Sequence, residues 1–134
     1  RGAQGVPAGW YGDANTCYAC PFGTYNAEPG RTDATACQPC PPGTRANASN
    51  GATACVPCDA GTYNPQSGQA SCQACGTGTF SAAGATQCSL CPANTYNDLT
   101  GQASCKSCGF FYCSPAGSSS LQQCTWCGPI FTPL

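Results

Sequence analysis

An aromatic side chain recurs at one kind of place along this chain, directly after a threonine. The instances are Thr24-Tyr25, Thr62-Tyr63, Thr79-Phe80 and Thr95-Tyr96. Threonine and aromatic residues both favour extended backbone, so each pair predicts a short strand. One aromatic residue per repeat is what a minimal core requires, and we expect the ring to pack over an adjacent cysteine pair. The alternative is that these rings form a ladder that binds a ligand.

A cysteine pattern sets the period of these strands. Seven Cys-x-x-Cys pairs begin at Cys17, Cys37, Cys55, Cys72, Cys88, Cys105 and Cys124, and Cys113 alone stands outside them. Such self-similarity is typical of repeat proteins. The predicted divisions are a partial N-terminal repeat (1–19), repeats 1 to 5 (20–39, 40–57, 58–74, 75–90 and 91–107), an irregular repeat 6 (108–127) and an apolar C-terminal tail (128–134).

The residues between cysteine pairs predict one hairpin in each repeat. The second cysteine opens a turn of the form Cys-Pro-x-Gly-Thr, in which proline fixes φ and glycine adopts a positive φ. Asn94 is the replacement for that glycine in repeat 5, and asparagine tolerates positive φ well. A second glycine turns the chain back toward the next pair. The sequence therefore predicts a small disulfide-rich fold, mostly β or irregular, with little or no helix. Its tandem short β-hairpins would stack into an elongated rod.

The composition excludes several classes of function. Only 7% of the residues are charged, the formal net charge is −1 and histidine is absent. The four scattered cations make no basic patch for nucleic acid, and no apolar run is long enough for direct membrane insertion. Neither paired carboxylates at a repeated position nor a histidine base is present, so we predict no catalytic residue, no enzyme and no cofactor.

The cysteines predict disulfides rather than metal ligands. Three tetrathiolate zinc sites would add about six negative charges with one nearby lysine to balance them, and a redox motif would occur once rather than seven times. No metal site is therefore expected, and disulfides imply an extracellular or cell-surface location. The repeat suggests that the second cysteine of one pair joins the first of the next, although an interlaced scheme stays open. The suggested pairs are Cys20–Cys37, Cys40–Cys55, Cys58–Cys72, Cys75–Cys88, Cys91–Cys105 and Cys108–Cys124.

Three cysteines remain after this series. A terminal Cys113–Cys127 bridge would leave Cys17 unpaired or bonded to another chain. In the alternative, Cys127 of one chain bonds Cys17 of the next, and Cys113 stays free or bonds laterally. Cys17 lacks an upstream partner because the segment 7–11 imitates the turn motif with no cysteine before it.

Two further features bear on contacts outside the chain. Asn47-Ala48-Ser49 is an N-glycosylation sequon, and the many serines and threonines permit O-linked glycans. The uncharged C-terminal segment carries four apolar residues that either fold back onto the last repeat or dock onto another subunit. These candidate assembly residues are Trp126, Ile130, Phe131 and Leu134.

The motif Cys-x-x-Cys-Pro-x-Gly-Thr-Tyr…Gly…Cys-x-x-Cys resembles the ephrin-receptor-like cysteine-rich repeats, which are similar to epidermal-growth-factor-like and tumour-necrosis-factor-receptor modules. Similar repeats occur in protist surface antigens and flagellar mastigoneme proteins. The resemblance implies a secreted or surface-displayed disulfide rod without catalytic residues. We predict a structural subunit of a surface filament, flagellar hair or coat, whose partners are copies of itself or other extracellular filament proteins. The alternative is a receptor-like ectodomain that binds a protein ligand.

Overall fold

The computed structural model describes residues 5–130. In this range it contains two 3-10 helices, Ala34–Ala36 and Leu121–Gln123, no α-helix, and fourteen short strands. The strands are Trp10–Gly12 (β1), Cys17–Ala19 (β2), Thr24–Tyr25 (β3), Gln38–Pro39 (β4), Thr44–Ala46 (β5), Cys55–Pro57 (β6), Thr62–Tyr63 (β7), Gln73–Ala74 (β8), Thr79–Phe80 (β9), Ser89–Leu90 (β10), Thr95–Tyr96 (β11), Lys106–Ser107 (β12), Tyr112–Cys113 (β13) and Thr125–Trp126 (β14).

Consecutive strands pair as antiparallel hairpins. The described residues form seven two-stranded sheets, from β1 with β2 to β13 with β14. Each predicted repeat contains one of these hairpins. The prediction of tandem short β-hairpins with little helix is therefore confirmed.

The turn after the second cysteine has the conformation that the sequence predicts. In repeat 1 the Pro21 carbonyl accepts the N–H of Thr24 at 3.1 Å and its hydroxyl at 2.7 Å. Gly23 lies between them with a φ of 78°. A turn with positive φ at its third residue is type II, which favours glycine there. Asn94 has a φ of 71°, as predicted.

Spatial contacts divide the described residues into two compact units. The first contains residues 5–59, 63–73 and 84–87, and the second contains 60–62, 74–83 and 88–130. Within each unit, disulfides close individual hairpins, and hydrogen bonds join consecutive hairpins.

The structure joins cysteines in the series that the repeat suggested, rather than in the interlaced scheme. The sequence separations of the bonded cysteines run from 13 to 17, and a cross-link around a loop of this size stabilises by about 3 kcal/mol in the chain-entropy model. The bonds are Cys20–Cys37, Cys40–Cys55, Cys58–Cys72, Cys75–Cys88, Cys91–Cys105, Cys108–Cys124 and the terminal Cys113–Cys127.

Cystine sulfur forms much of the interior. The second cysteines of five pairs, from Cys20 to Cys91, have no exposed surface. In repeat 2 a small cluster of Cys40, Ala46 and Ala52 packs against Tyr25 and Cys55. Tyr25 thus lies beside the Cys40–Cys55 bond, as expected of a packing residue.

In repeats 1 and 3 to 6, a buried polar side chain links the hairpin to the preceding one. Counting the second cysteine as position 0, position 6 carries asparagine or serine in every repeat except repeat 2, where it is Ala46. These polar side chains are at most 6% exposed and donate to a carbonyl of the preceding repeat at 2.7 to 3.0 Å. The donors are Asn26 to Trp10, Asn64 to Thr44, Ser81 to Thr62, Asn97 to Thr79 and Ser114 to Thr95.

Backbone bonds follow the same repeat. The second glycine of a repeat donates to the carbonyl of the preceding repeat's position 0. In the first unit Gly68 donates to Cys40 at 2.7 Å. In the second unit Gly101 donates to Cys75 at 2.7 Å and Gly117 donates to Cys91 at 2.8 Å. The set of side-chain and backbone bonds between consecutive hairpins is called the hairpin ladder below.

Replacing Asn64 by alanine tests the side-chain part of the ladder. Asn64→Ala leaves the Thr44 carbonyl without the amide donor at 2.7 Å. Leaving a buried acceptor unpaired costs about 1–3 kcal/mol, so the thermal unfolding midpoint of the disulfide-intact protein should fall. Asn64→Ser is the matched control, because serine fills this role at Ser81 and Ser114. Equal midpoints for the alanine variant and the wild type would contradict the assignment.

Candidate interaction surface

The last hairpin displays a cluster of exposed aromatic side chains. Phe110 is 92% exposed, Phe111 53%, Tyr112 43% and Trp126 50%. We call these four residues the aromatic cluster. Residues 109 to 130 contain no charged side chain, so nothing in this segment breaks the apolar surface with a formal charge.

The strands and two disulfides hold the aromatic cluster in place. Tyr112 of β13 lies opposite Trp126 of β14, and their rings meet edge to face at 5.5 Å between centroids. The Phe111 ring lies 5.6 Å from the Trp126 ring and 6.4 Å from the Phe110 ring. The bonds Cys108–Cys124 and Cys113–Cys127 tie the same hairpin covalently. The rings are therefore exposed on a cross-linked support, which limits the entropy lost when they bind a partner.

Phe111 has an unusual backbone conformation. Its φ is 63°, in the left-handed region that a bulky residue rarely occupies. The Cys127 N–H donates to the Phe111 carbonyl at 2.7 Å, and a Cβ on Gly128 would collide with the Phe111 side chain. The surrounding hairpin thus maintains a conformation that Phe111 alone would not favour.

The predicted assembly residues fall partly on this surface. Trp126 belongs to the aromatic cluster, and Ile130 is 84% exposed. Phe131 and Leu134 lie outside the described residues. Sequence reasoning did not assign the other members, Phe110, Phe111 and Tyr112. The available signal was a run of three aromatics where other repeats have x-Gly-Thr.

Cys17 is exposed and is the one cysteine without a disulfide; all fifteen lie in the described range. Its expected partner position holds Val6. Val6 is 1% exposed, and its carbonyl accepts the Gly30 N–H at 2.8 Å, as position 0 does elsewhere. Gly12 pairs with Cys17 as Ala46 pairs with Cys55. A valine in the cysteine's place therefore explains the free thiol. A bond from Cys17 to another chain stays a prediction.

Restoring the missing cysteine should close an eighth disulfide. Val6→Cys places a thiol at the position equivalent to Cys40, whose partner Cys55 is equivalent to Cys17. After oxidative refolding with glutathione we expect the thiol titre of the denatured, unreduced protein to fall from one to zero. The matched control is Val6→Ala, which should keep one thiol. Two free thiols in Val6→Cys would show that Val6 is not at position 0.

The predicted glycosylation residue Asn47 is exposed on the first unit. Its Nδ2 donates to the Thr53 hydroxyl at 3.1 Å, and its Oδ1 accepts the Thr53 N–H at 3.1 Å. Asn47 also lines an open cavity of about 290 Å³ together with Phe22 and Arg45. A glycan attached here would stand beside that cavity.

Ser49→Ala tests glycosylation without touching Asn47. The substitution removes the sequon and leaves the Asn47–Thr53 bonds in place. On secretion from a eukaryotic cell, the wild-type protein should lose mass after treatment with an N-glycosidase, and Ser49→Ala should not. An unchanged wild-type mass would contradict occupancy at Asn47.

The β11–β12 hairpin carries a close ion pair. The Lys106 ammonium lies 2.9 Å from an Asp98 carboxylate oxygen, and both side chains are partly exposed. The hydrogen bond lowers the pKa of Asp98 and raises the pKa of Lys106. Lys106 also lies 5.9 Å from the centre of the Tyr96 ring, its cross-strand partner. This ion pair therefore clips the β11–β12 hairpin at its surface.

Within residues 5–130, no group of three or more His, Cys, Asp or Glu side chains could hold a metal ion. No described helix has the length and hydropathy needed to cross a membrane.

Comparison with known protein families gives a match to the repeats of this chain. The family described as tyrosine-protein kinase ephrin type A/B receptor-like matches residues 47–80 and 78–124, more than half of the chain. A search of curated proteins found no significant match. These repeats are typically non-enzymatic, and with seven disulfides they indicate an extracellular domain. The chain belongs to the ephrin-receptor-like family of cysteine-rich repeat proteins.

Proposed function

We propose that this protein is a non-enzymatic structural component of the cell surface, a subunit of a filament, flagellar hair or coat. The observation that carries the proposal is the uncharged aromatic cluster on the cross-linked last hairpin, where Phe110 is 92% exposed. Large aromatic side chains dominate the energetics of protein contacts when a partner covers them. A cluster of this kind favours association over a freely dissolved monomer.

The occupant we propose for the aromatic cluster is a second copy of the same chain. The net charge is −1 and only 7% of residues are charged, so copies meet with almost no electrostatic repulsion. A net charge near zero also promotes self-association. A charged partner would find no complementary group on residues 109 to 130.

Sedimentation velocity at rising protein concentration tests this proposal. The Cys17→Ser background removes the free thiol, so that only non-covalent association is measured. We expect the sedimentation coefficient to rise with concentration, and Phe110→Ser to weaken association by about thirtyfold, the factor that corresponds to the loss of a hot-spot side chain. Because Phe110 is exposed, the substitution should leave the fold intact.

Phe22→Ser is the matched control for that experiment. Phe22 is 67% exposed and lies on the first unit, outside the aromatic cluster. It should associate like the Cys17→Ser parent. A monomer at every concentration, or an equal effect of Phe22→Ser, would overturn association through the aromatic cluster.

A receptor-like ectodomain is the second candidate, supported by a different surface. Phe22 and Arg45 line the cavity of about 290 Å³ on the first unit, and aromatic residues and arginine are both enriched at protein interfaces. Arg31 lines a different cavity and is paired with Glu28 at 3.8 Å. A protein ligand that binds this candidate surface should be lost with Arg45→Glu and retained with Phe110→Ser.

A further inference from the structure

The glycine at position 3 is required by a contact two repeats away. In the first unit, a Cβ on Gly43 would collide with the carbonyl oxygen of Gly84 at 2.6 Å. In the second unit, a Cβ on Gly78 would meet the carbonyl oxygen of Gly117 at 2.5 Å. The same relation joins Gly9 to Gly51, Gly23 to Gly68 and Gly61 to Gly101. Glycine is therefore needed here for space as well as for its positive φ.

Two later repeats carry a side chain at this position. Position 3 is Asn94 in repeat 5 and Phe111 in repeat 6, with φ values of 71° and 63°. The left-handed backbone is retained, and the change is the added Cβ. Within residues 5–130, neither repeat has a second glycine two repeats further along. The added Cβ of Asn94 and of Phe111 stands at the position where a Cβ in the earlier repeats would meet a glycine carbonyl.

Asn94 also accepts a hydrogen bond from a position-6 backbone N–H, which in earlier repeats donates to a carbonyl of the next repeat. At position 6, the Ser81 N–H donates to the Gln102 carbonyl of the next repeat at 3.3 Å. The Asn97 N–H likewise donates to the Ser118 carbonyl of the next repeat at 3.0 Å. In repeat 6 this donor is the N–H of Ser114, which donates to Oδ1 of Asn94 at 3.2 Å. Ser114 is 6% exposed, so its N–H needs a partner within the protein.

We propose that Asn94 is a terminal cap of the hairpin ladder, assisted by Phe111. The Cβ of Asn94 fills the space that the glycine carbonyl of another repeat would enter. Its amide oxygen accepts the hydrogen bond from the Ser114 N–H, which would otherwise donate to a carbonyl of that repeat. Phe111 blocks the same space in repeat 6. A further repeat therefore cannot dock on repeats 5 and 6 in the geometry of the ladder.

Amide hydrogen exchange of the full-length protein tests the hydrogen-bond half of this proposal. Asn94→Gly keeps the backbone conformation and removes the acceptor, so the Ser114 amide should exchange about fivefold faster, the factor that a hydrogen bond of about 1 kcal/mol represents. Asn94→Ala should show the same acceleration, and Asn94→Asp should restore protection. The Asn97 amide is the internal reference. Unchanged Ser114 exchange in both the glycine and alanine variants would overturn the cap.

Gly78→Asn tests the steric half by moving the blocking side chain into the interior of the ladder. The added Cβ should displace the Gly117 carbonyl and accelerate exchange of the Gly117 amide, which donates to Cys91 at 2.8 Å. Gly76→Asn is the matched control, since a Cβ there meets nothing within 4 Å. Failure of Gly78→Asn alone to fold supports blocking. Wild-type Gly117 exchange in Gly78→Asn would overturn it.

Discussion

In this protein, disulfide-bonded cysteines form the core and stabilise the fold, a role that aliphatic side chains have in an ordinary domain. Among residues 5–130, the buried apolar residues are cysteines and alanines together with Val6. Twelve Leu, Ile, Val and Phe residues in 134 cannot bury enough surface to offset the ordering entropy of the backbone, about 1–2 kcal/mol per residue. Cross-links lower the entropy of the unfolded chain instead. Each repeat therefore consists of little more than one loop closed by a disulfide, together with its turn.

Because the core consists of disulfides and small side chains, neighbouring hairpins come close enough for their backbones to form hydrogen bonds with each other. Strands of two residues, such as β7 and β9, do not form a stable hairpin in isolation. The ladder supplies the missing contacts through a backbone bond such as Gly101 to Cys75 and a side-chain bond such as Asn97 to Thr79. Close approach makes both position 3 and position 6 sterically strict. The glycine at position 3 is therefore required by the hairpin two repeats ahead, and the small polar residue at position 6 by the preceding hairpin, rather than by the local turn alone.

This difference explains how much the sequence could predict. Turn chemistry and cysteine spacing are local, so the hairpins, the positive φ of Asn94 and the series of disulfides followed from the residues themselves. The role of position 6 did not, because Asn64 and its acceptor Thr44 are 20 residues apart and belong to different repeats. The missing cysteine before residue 7 did follow from the sequence, because the segment 7–11 repeats the local turn motif, and Val6 stands in its place. The aromatic cluster was not predicted, because the sequence shows three aromatic residues in place of the turn motif but does not show that their side chains are exposed.

Phe111 connects the architecture to the proposed function. A non-glycine residue in the left-handed region costs about 1–2 kcal/mol, and position 3 is glycine in the repeats that have a hairpin two steps ahead. Glycine at residue 111 would remove that strain, but it would also remove the ring beside Trp126 and the side chain over Gly128. The strained residue thus closes the ladder and supports the exposed rings at the same time. Because Asn94 and Phe111 block the ladder geometry at repeats 5 and 6, association of copies through these repeats would use side-chain surfaces, and the aromatic cluster is such a surface.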